Sequence, residues 1–157
     1  MKLDYKDFVY VIIQGILFIC YLLNPKVINF DCASLLYILG LLLLGIGMVI
    51  IAYALFQLRD SLSPFPSPRT DAKLIRTGLY KFIRHPIYTG ILCVVFGYAL
   101  YTCSSFKVII SFSIYILFHF KAKYEEKKLA IFFSEYADYQ KNTGRFLPKI
   151  PTFLAKK

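Results

Sequence analysis

The stretch Gly78-Leu79-Tyr80-Lys81-Phe82-Ile83-Arg84-His85-Pro86-Ile87-Tyr88-Thr89-Gly90 decides how this chain is read. It places arginine, histidine, proline, three aromatics and two glycines against the start of an apolar run, Ile87–Phe106, of membrane-spanning length. Ionisable side chains at a bilayer boundary cost free energy unless something uses them. The segment is therefore both the edge of a transmembrane span and a candidate site.

Working outward, three more apolar runs appear. Phe8–Leu23 ends at Asn24-Pro25, and no small-residue cleavage site follows it, so it reads as a retained helix and not a signal peptide. Ala33–Leu58 is long enough to cross with tilt and carries Gly40, Gly45 and Gly47, where a neighbouring helix can approach closely. Val108–Phe120 is short, with Lys107 expected to snorkel at its edge. Between the second and third spans, Ser63-Pro64-Phe65-Pro66-Ser67-Pro68 cannot be regular helix, because its three prolines lack the N–H donor. After Phe120 the chain becomes charged. Within Lys121–Lys141, Leu129, Phe132, Phe133, Tyr136 and Tyr139 recur near helical spacing and predict an amphipathic interfacial helix. The tail Phe146–Pro151 is expected to be extended. The fold class is thus all-α: one polytopic membrane domain over 1–157, with four transmembrane helices and a C-terminal amphipathic helix.

Composition agrees. The 157 residues are 58% hydrophobic and carry a net charge of +10. The basic residues border apolar spans and form no continuous soluble patch, which assigns them to lipid headgroups and not to nucleic acid. Their distribution also predicts orientation. Arg59–Arg84 holds six Lys/Arg and the chain from Lys121 onward holds nine, whereas the other two connections hold only Lys26 and Lys107. The positive-inside rule then puts the N-terminus, the middle loop and the C-terminus in the cytoplasm, and four spans satisfy all three placements. Cys20, Cys32, Cys93 and Cys103 form no CxxC pair, so packing is the default role and a zinc site is not expected. One Cys32–Cys103 disulfide is geometrically open if both fall on the same membrane side.

The third and fourth spans are joined by a few residues and form an antiparallel hairpin. This brings His85, at the mouth of one span, to the depth of Glu125-Glu126, just past the other. With Lys73-Leu74-Ile75-Arg76-Thr77-Gly78-Leu79-Tyr80 before Arg84-His85-Pro86-Ile87-Tyr88, and with Leu129, Phe133, Tyr136, Tyr139 and Pro148 after the paired glutamates, the chain from about Ser61 to Pro151 resembles the isoprenylcysteine carboxyl methyltransferase family. That family lies within a wider group of small integral-membrane methyltransferases that includes phospholipid methyltransferases. Where that family usually has Phe-Gly, this chain has Phe133-Ser134.

The resemblance implies S-adenosylmethionine as cofactor. It implies that His85, Pro86, Tyr88, Glu125 and Glu126 line the cofactor pocket, with Tyr80 and Lys73-Leu74-Ile75 beside it. A basic residue before the glutamates is associated with the substrate carboxylate in the family, and Lys121 or Lys123 occupies that neighbourhood. Lys121 and Glu126 are the catalytic candidates. The implied partner is a lipophilic or lipidated substrate drawn from membrane lipid.

Such a reaction needs little acid–base machinery. A carboxylate is already ionised at neutral pH and attacks a sulfonium methyl directly, so the protein must align the reactants and exclude water. An amine acceptor would also need a base, for which His85 or a glutamate would serve. A phospholipid or small-amine N-methyltransferase is therefore an alternative, as are a nicotinamide-dependent lipid reductase and a non-catalytic scaffold. No G-x-G-x-x-G lies between a strand and a helix, which disfavours a soluble Rossmann enzyme. Alone, His85 would read as an interfacial helix cap, Glu125-Glu126-Lys127-Lys128 as a solvated charged face, and His119 as a satisfied interfacial residue.

Overall fold

The computed structural model describes residues 4–23, 33–58, 65–67 and 73–149. Within them the chain is all-α. The helices are α1 (Tyr5–Leu22), α2 (Ser34–Leu58), α3 (Pro86–Tyr101), α4 (Ser105–Phe132) and α5 (Tyr136–Asn142), with a short 3-10 turn, Gly78–Lys81, between α2 and α3. Helices α1, α2 and α4 are long and apolar enough to cross a membrane, which makes this a multi-pass membrane protein. Helix α3 is apolar but only 16 residues long, short of the roughly 20 that a perpendicular crossing needs. It stops at Tyr101 because Thr102 and Cys103 turn the chain, with Cys103 in the left-handed region at φ 50°. The span expected from the apolar run Ile87–Phe106 is therefore longer than the helix itself.

A second difference concerns the charged segment. No separate amphipathic helix begins at Lys121. Helix α4 runs unbroken for 28 residues from Ser105 through Phe132, and only then does the chain break, at Phe133 with ψ 114°. Nothing between Phe120 and Lys123 interrupts the helical hydrogen bonds, so the helix continues past its apolar part. The tail folds back and is not simply extended: residues 145–147 bend, and Thr89 on α3 donates from its hydroxyl to the Phe146 carbonyl at 2.7 Å. Residues beyond Lys149, and the Ser63, Pro64 and Pro68 part of the proline run, lie outside the described residues.

The helices pack in the order α2, α3, α4, α1. Tyr21, Leu92, Val95, Ile114 and Phe118, drawn from α1, α3 and α4, form the buried core cluster. Leu35, Ile38, Leu42, Ile46 and Val49 on α2 stay exposed, which suits a face toward lipid. Lys107 does not snorkel outward. It is buried, donates from Nζ to the Tyr21 carbonyl at the end of α1 at 3.0 Å, and lies 4.9 Å and 5.3 Å from the Tyr21 and Tyr98 ring centroids. The orphan carbonyls of a helix C-terminus attract a cation more strongly than the headgroup edge does here. Cys103 is disulfide-bonded while Cys20 and Cys93 are free; Cys32 lies outside the described residues.

At the opposite end of α1, Asp7 is fully buried. Its Oδ2 accepts from the Ser67 hydroxyl at 2.5 Å, from the Asp4 backbone N–H at 2.8 Å, and pairs with Lys128 Nζ at 3.3 Å. This ties α1, the Phe65–Ser67 strip and the end of α4 together.

The α2–α3 seam is a backbone contact. A Cβ on Gly97 would sit 2.6 Å from the Leu44 nitrogen and 2.7 Å from the Gly40 carbonyl, and one on Gly40 would sit 2.6 Å from the Tyr101 nitrogen. Two turns along, Gly47 and Gly90 repeat the arrangement. Such small-residue seams let helices gain dispersion contacts where lipid removes the hydrophobic drive. Gly45 has nothing within 4 Å of its would-be Cβ. We expect Gly97→Leu to lower unfolding free energy by about 1–3 kcal/mol through overpacking, and Gly45→Leu to leave it unchanged, as measured by thermal unfolding of the detergent-solubilised protein.

Candidate functional site

The site begins with the 3-10 turn. Gly78 adopts φ +57°, and the Gln57 amide of α2 fills the space its side chain would take. Gln57 Oε1 accepts from the Leu79 N–H at 3.0 Å. This fixes the turn against the end of α2 and buries Tyr80. The chain then runs through Ile83, which pairs with Gly144 in an isolated parallel bridge, to His85, the N-cap of α3, and Pro86 in its first turn. A proline there loses no helical hydrogen bond.

A cavity of about 340 Å³ opens between this segment, α1, the Phe65–Ser67 strip, α4 and α5. Lys73, Leu74, Ile75, Tyr80, His85, Pro86, Tyr88, Lys121 and Glu125 all line it. On α4, Lys121, Glu125 and Leu129 present one face to it, as their four-residue spacing requires. Lys123, the other basic candidate, is exposed and does not line the cavity.

Tyr88 organises the wall. Its hydroxyl donates to Glu125 Oε2 at 3.0 Å, its ring stacks on Phe118 with centroids 4.5 Å apart, and the His85 ring lies parallel to it at 5.3 Å. Lys121 Nζ sits 5.6 Å from the centroid of the Tyr88 ring and donates to Gln14 Oε1 of α1 at 2.7 Å. His85 Nδ1 is 3.7 Å from Glu125.

Glu126 is placed differently. It is buried, is not among the residues lining this cavity, and has both oxygens occupied. Oε1 accepts from Arg84 Nε at 2.9 Å and Arg145 Nε at 3.1 Å, with His85 Nε2 at 3.3 Å. Oε2 accepts from an Arg145 terminal nitrogen at 2.6 Å and from Gln140 at 3.2 Å. Arg84 in turn donates to the carbonyls of Gln140 and Thr143. The carboxylate is thus the centre of a knot that straps residues 143–146 over the mouth of α3. The backbone joins in: Arg84 N–H donates to the Gly144 carbonyl at 2.9 Å and His85 N–H to the Arg145 carbonyl at 3.1 Å. Glu126 raises the pKa of Arg145 above its already high ordinary value.

The α5 side adds phenols. Tyr139 donates to the Tyr80 carbonyl at 2.5 Å, and burial pushes its pKa up to about 12. Burial likewise pushes Tyr80 and Tyr136 up, so all three are neutral at ordinary pH. The Tyr136 hydroxyl is buried and has no hydrogen-bond partner among the described residues.

A model of the phospholipid methyltransferase family matches residues 35–136, about two thirds of the chain. The chain belongs to this family of small membrane methyltransferases. It is 32% identical over 115 residues to methanethiol S-methyltransferase from Pseudomonas deceptionensis, covering 68% of this chain and 43% of that protein. It is 30% identical over 130 residues to protein-S-isoprenylcysteine O-methyltransferase from Saccharomyces cerevisiae, covering 80% of this chain and 54% of that one. The chain therefore spans about half the length of the curated relatives it matches. Its fold is similar to that of the eukaryotic intramembrane Ras methyltransferase (isoprenylcysteine carboxyl methyltransferase) solved without a monobody. The TM-score is 0.66 at 22% identity, covering 94% of this chain and 50% of that structure.

Among the residues in and around the site that the sequence does not single out are Arg145, Gln14 and Val11. Arg145 stands in a loop with no periodicity to flag it. Gln14 and Val11 line the cavity from α1, outside the matched region. For Gln14 there was a signal: beyond Asp7 it is the one amide or charged side chain in an otherwise apolar helix. We expect Glu126→Ala, which leaves the buried Arg84 side chain and the partly buried Arg145 without their carboxylate, to cost about 3–5 kcal/mol of stability. Glu126→Gln is expected to cost less, and chemical unfolding in mild detergent compares the two.

Proposed function

We propose that the protein transfers a methyl group from S-adenosylmethionine to a lipophilic carboxylate that reaches the site from the bilayer. The observation that carries this reading is the convergence of Lys73–Ile75, Tyr80, His85, Tyr88, Lys121 and Glu125 on one cavity. Its volume lies in the range of small-molecule sites. The donor set suits a molecule with two positive centres and several polar groups. Glu125 offers a carboxylate already oriented by Tyr88, the Tyr88 and Tyr80 rings offer aromatic surface for a cation, and the Tyr136 hydroxyl has no partner among the described residues.

When bound, S-adenosylmethionine would supply an electrophilic methyl on a sulfonium that leaves as a neutral thioether. The chain's own work is placement. In this reading Glu125 pairs with the donor's ammonium, His85 and Tyr88 form the wall that fixes its orientation, and Lys121 holds the acceptor carboxylate. Glu126 acts from behind this wall by holding His85 and the strap in place. No proton has to be moved, consistent with phenols that stay neutral and an already paired glutamate.

The fuller topology belongs to the same proposal. With α3 counted as a tilted or locally thinned crossing, four spans put the site, both termini and the basic segments in the cytoplasm. The disulfide-bonded Cys103 at the far end of α3 supports this, since disulfides persist on the oxidising side of a membrane. A thiol acceptor is the second reading, favoured by the resemblance to methanethiol S-methyltransferase. There Lys121 would stabilise a thiolate.

Calorimetry on the detergent-solubilised protein is expected to show S-adenosylmethionine binding that weakens at least tenfold in Glu125→Ala, as for loss of a charged hydrogen-bond partner. With labelled donor, N-acetyl-S-farnesylcysteine is expected to gain a base-labile methyl ester. Label appearing instead in methanethiol, or as a base-stable product in phosphatidylethanolamine vesicles, would reassign the acceptor.

A further inference from the structure

We propose that a second cavity, separate from the one described above, is a binding site for an anionic membrane phospholipid, which sets its phosphate at Arg145 and lays an acyl chain toward Phe96. The proposal does not depend on which acceptor the protein methylates.

This cavity has a volume of about 580 Å³ and lies between α2, α3, α4 and residues 145–147 of the strap. Among the described residues it shares no lining side chain with the first cavity. Its wall is graded from polar to apolar. Arg145 lines it at the end nearest the Glu126 knot, beside Thr89 in the first turns of α3. His119 lines it from α4, one helical turn nearer the knot than Tyr115. Leu92 and Phe96 of α3 and Leu43 of α2 line the deeper part. From Thr89 to Phe96 is about 10 Å of helix. A cationic end joined to that length of apolar wall matches a headgroup and the first part of an acyl chain.

Charge selects the occupant. Glu126 is shared by two guanidinium groups, so Arg84, Arg145 and Glu126 together leave one positive charge over. No carboxylate among the described residues lines the second cavity, and Glu125 faces the first one, held by Tyr88. Arg145 meets Glu126 through Nε and one terminal nitrogen. Its other terminal nitrogen makes no hydrogen bond among the described residues and is left for phosphate oxygens, which a guanidinium binds well. His119 is exposed, with only the edge of the Phe120 ring against it, and even a neutral imidazole offers one N–H. An ionisable side chain within a membrane span is costly unless something uses it. Basic pockets between membrane helices are suited to anionic headgroups. A zwitterionic lipid also has a phosphate, but it brings its own cation to a place that already has a positive surplus.

The chain has no tryptophan, so one can be introduced as a reporter. Full-length Phe96→Trp protein is placed in phosphatidylcholine bilayers, and dibrominated phosphatidylglycerol or dibrominated phosphatidylcholine replaces plain lipid stepwise. Bromine quenches the indole on contact. Leu42→Trp, at an exposed position of α2 that does not line the cavity, reports the ordinary lipid annulus. Circular dichroism checks that each variant is folded. We expect the Phe96→Trp reporter to favour the anionic lipid about fivefold more than the Leu42→Trp reporter does, the size of one basic side chain beside a headgroup. Adding His119→Glu, which puts a carboxylate in the cavity wall without touching the Glu126 knot, is expected to abolish that difference. If Phe96→Trp does not fold, Tyr115→Trp on the facing helix serves as reporter. Equal preference at the cavity and annulus reporters leaves only the general attraction of a chain with net charge +10 and overturns the proposal. A preference that survives His119→Glu overturns it too. So does weak quenching by both lipids at the cavity reporter, which would mean that protein fills the groove, from a second copy or from elsewhere in this chain.

Discussion

The arrangement depends on one buried carboxylate. Glu126 gathers Arg84, Arg145, His85 and Gln140 onto its two oxygens. Those groups come from the mouth of α3, from α5 and from the chain after it. Without the glutamate, the Arg84 and Arg145 guanidinium groups would face each other with no carboxylate between them, and residues 143–146 would be held against His85 only by the hydrogen bonds of the Arg84 side chain, the Thr89 hydroxyl and the backbone. The cavity lies on the other side of this knot. Its His85–Tyr88 wall is therefore only as well placed as the ion cluster behind it.

This separates two neighbouring glutamates by what they touch. Glu125 faces the cavity with one oxygen held by Tyr88, whereas Glu126 is spoken for entirely by protein groups. Consecutive positions on a helix point about 100° apart, so a paired-glutamate motif delivers one side chain to a ligand and the other to the scaffold. A motif reading that treats the two alike misses this division.

Much of the site was legible in the sequence because it is local and chemically conspicuous. The residues from Lys73 to Tyr88 interrupt apolar surroundings, and the hairpin of α3 and α4 needed only a short connection to bring Glu125 to them. What escaped reading depended on long-range packing. Lys107 sits where any edge lysine would, and only the end of α1 arriving beside it turns it into a helix cap. Arg145 carries no local pattern, since its meaning comes from a glutamate on another helix. The continuity of α4 was obscured by a change in polarity at Phe120 that is not a change in backbone. The reach of α3 was overstated because hydropathy continues through the Cys103 turn while the helix does not.

The glycine seam between α2 and α3 has a consequence for what this scaffold can become. Two helices whose main chains touch at Gly40, Gly47, Gly90 and Gly97 cannot be drawn closer, and any bulk inserted there pushes them apart. That side of the molecule is a fixed jaw. Accommodating larger or smaller guests, over evolution or by engineering, falls to the other walls of the cavity, from α1, the Phe65–Ser67 strip, α4 and α5; of these, α1 is joined to the rest chiefly through α4, its Asp7 tie and the Lys107 cap.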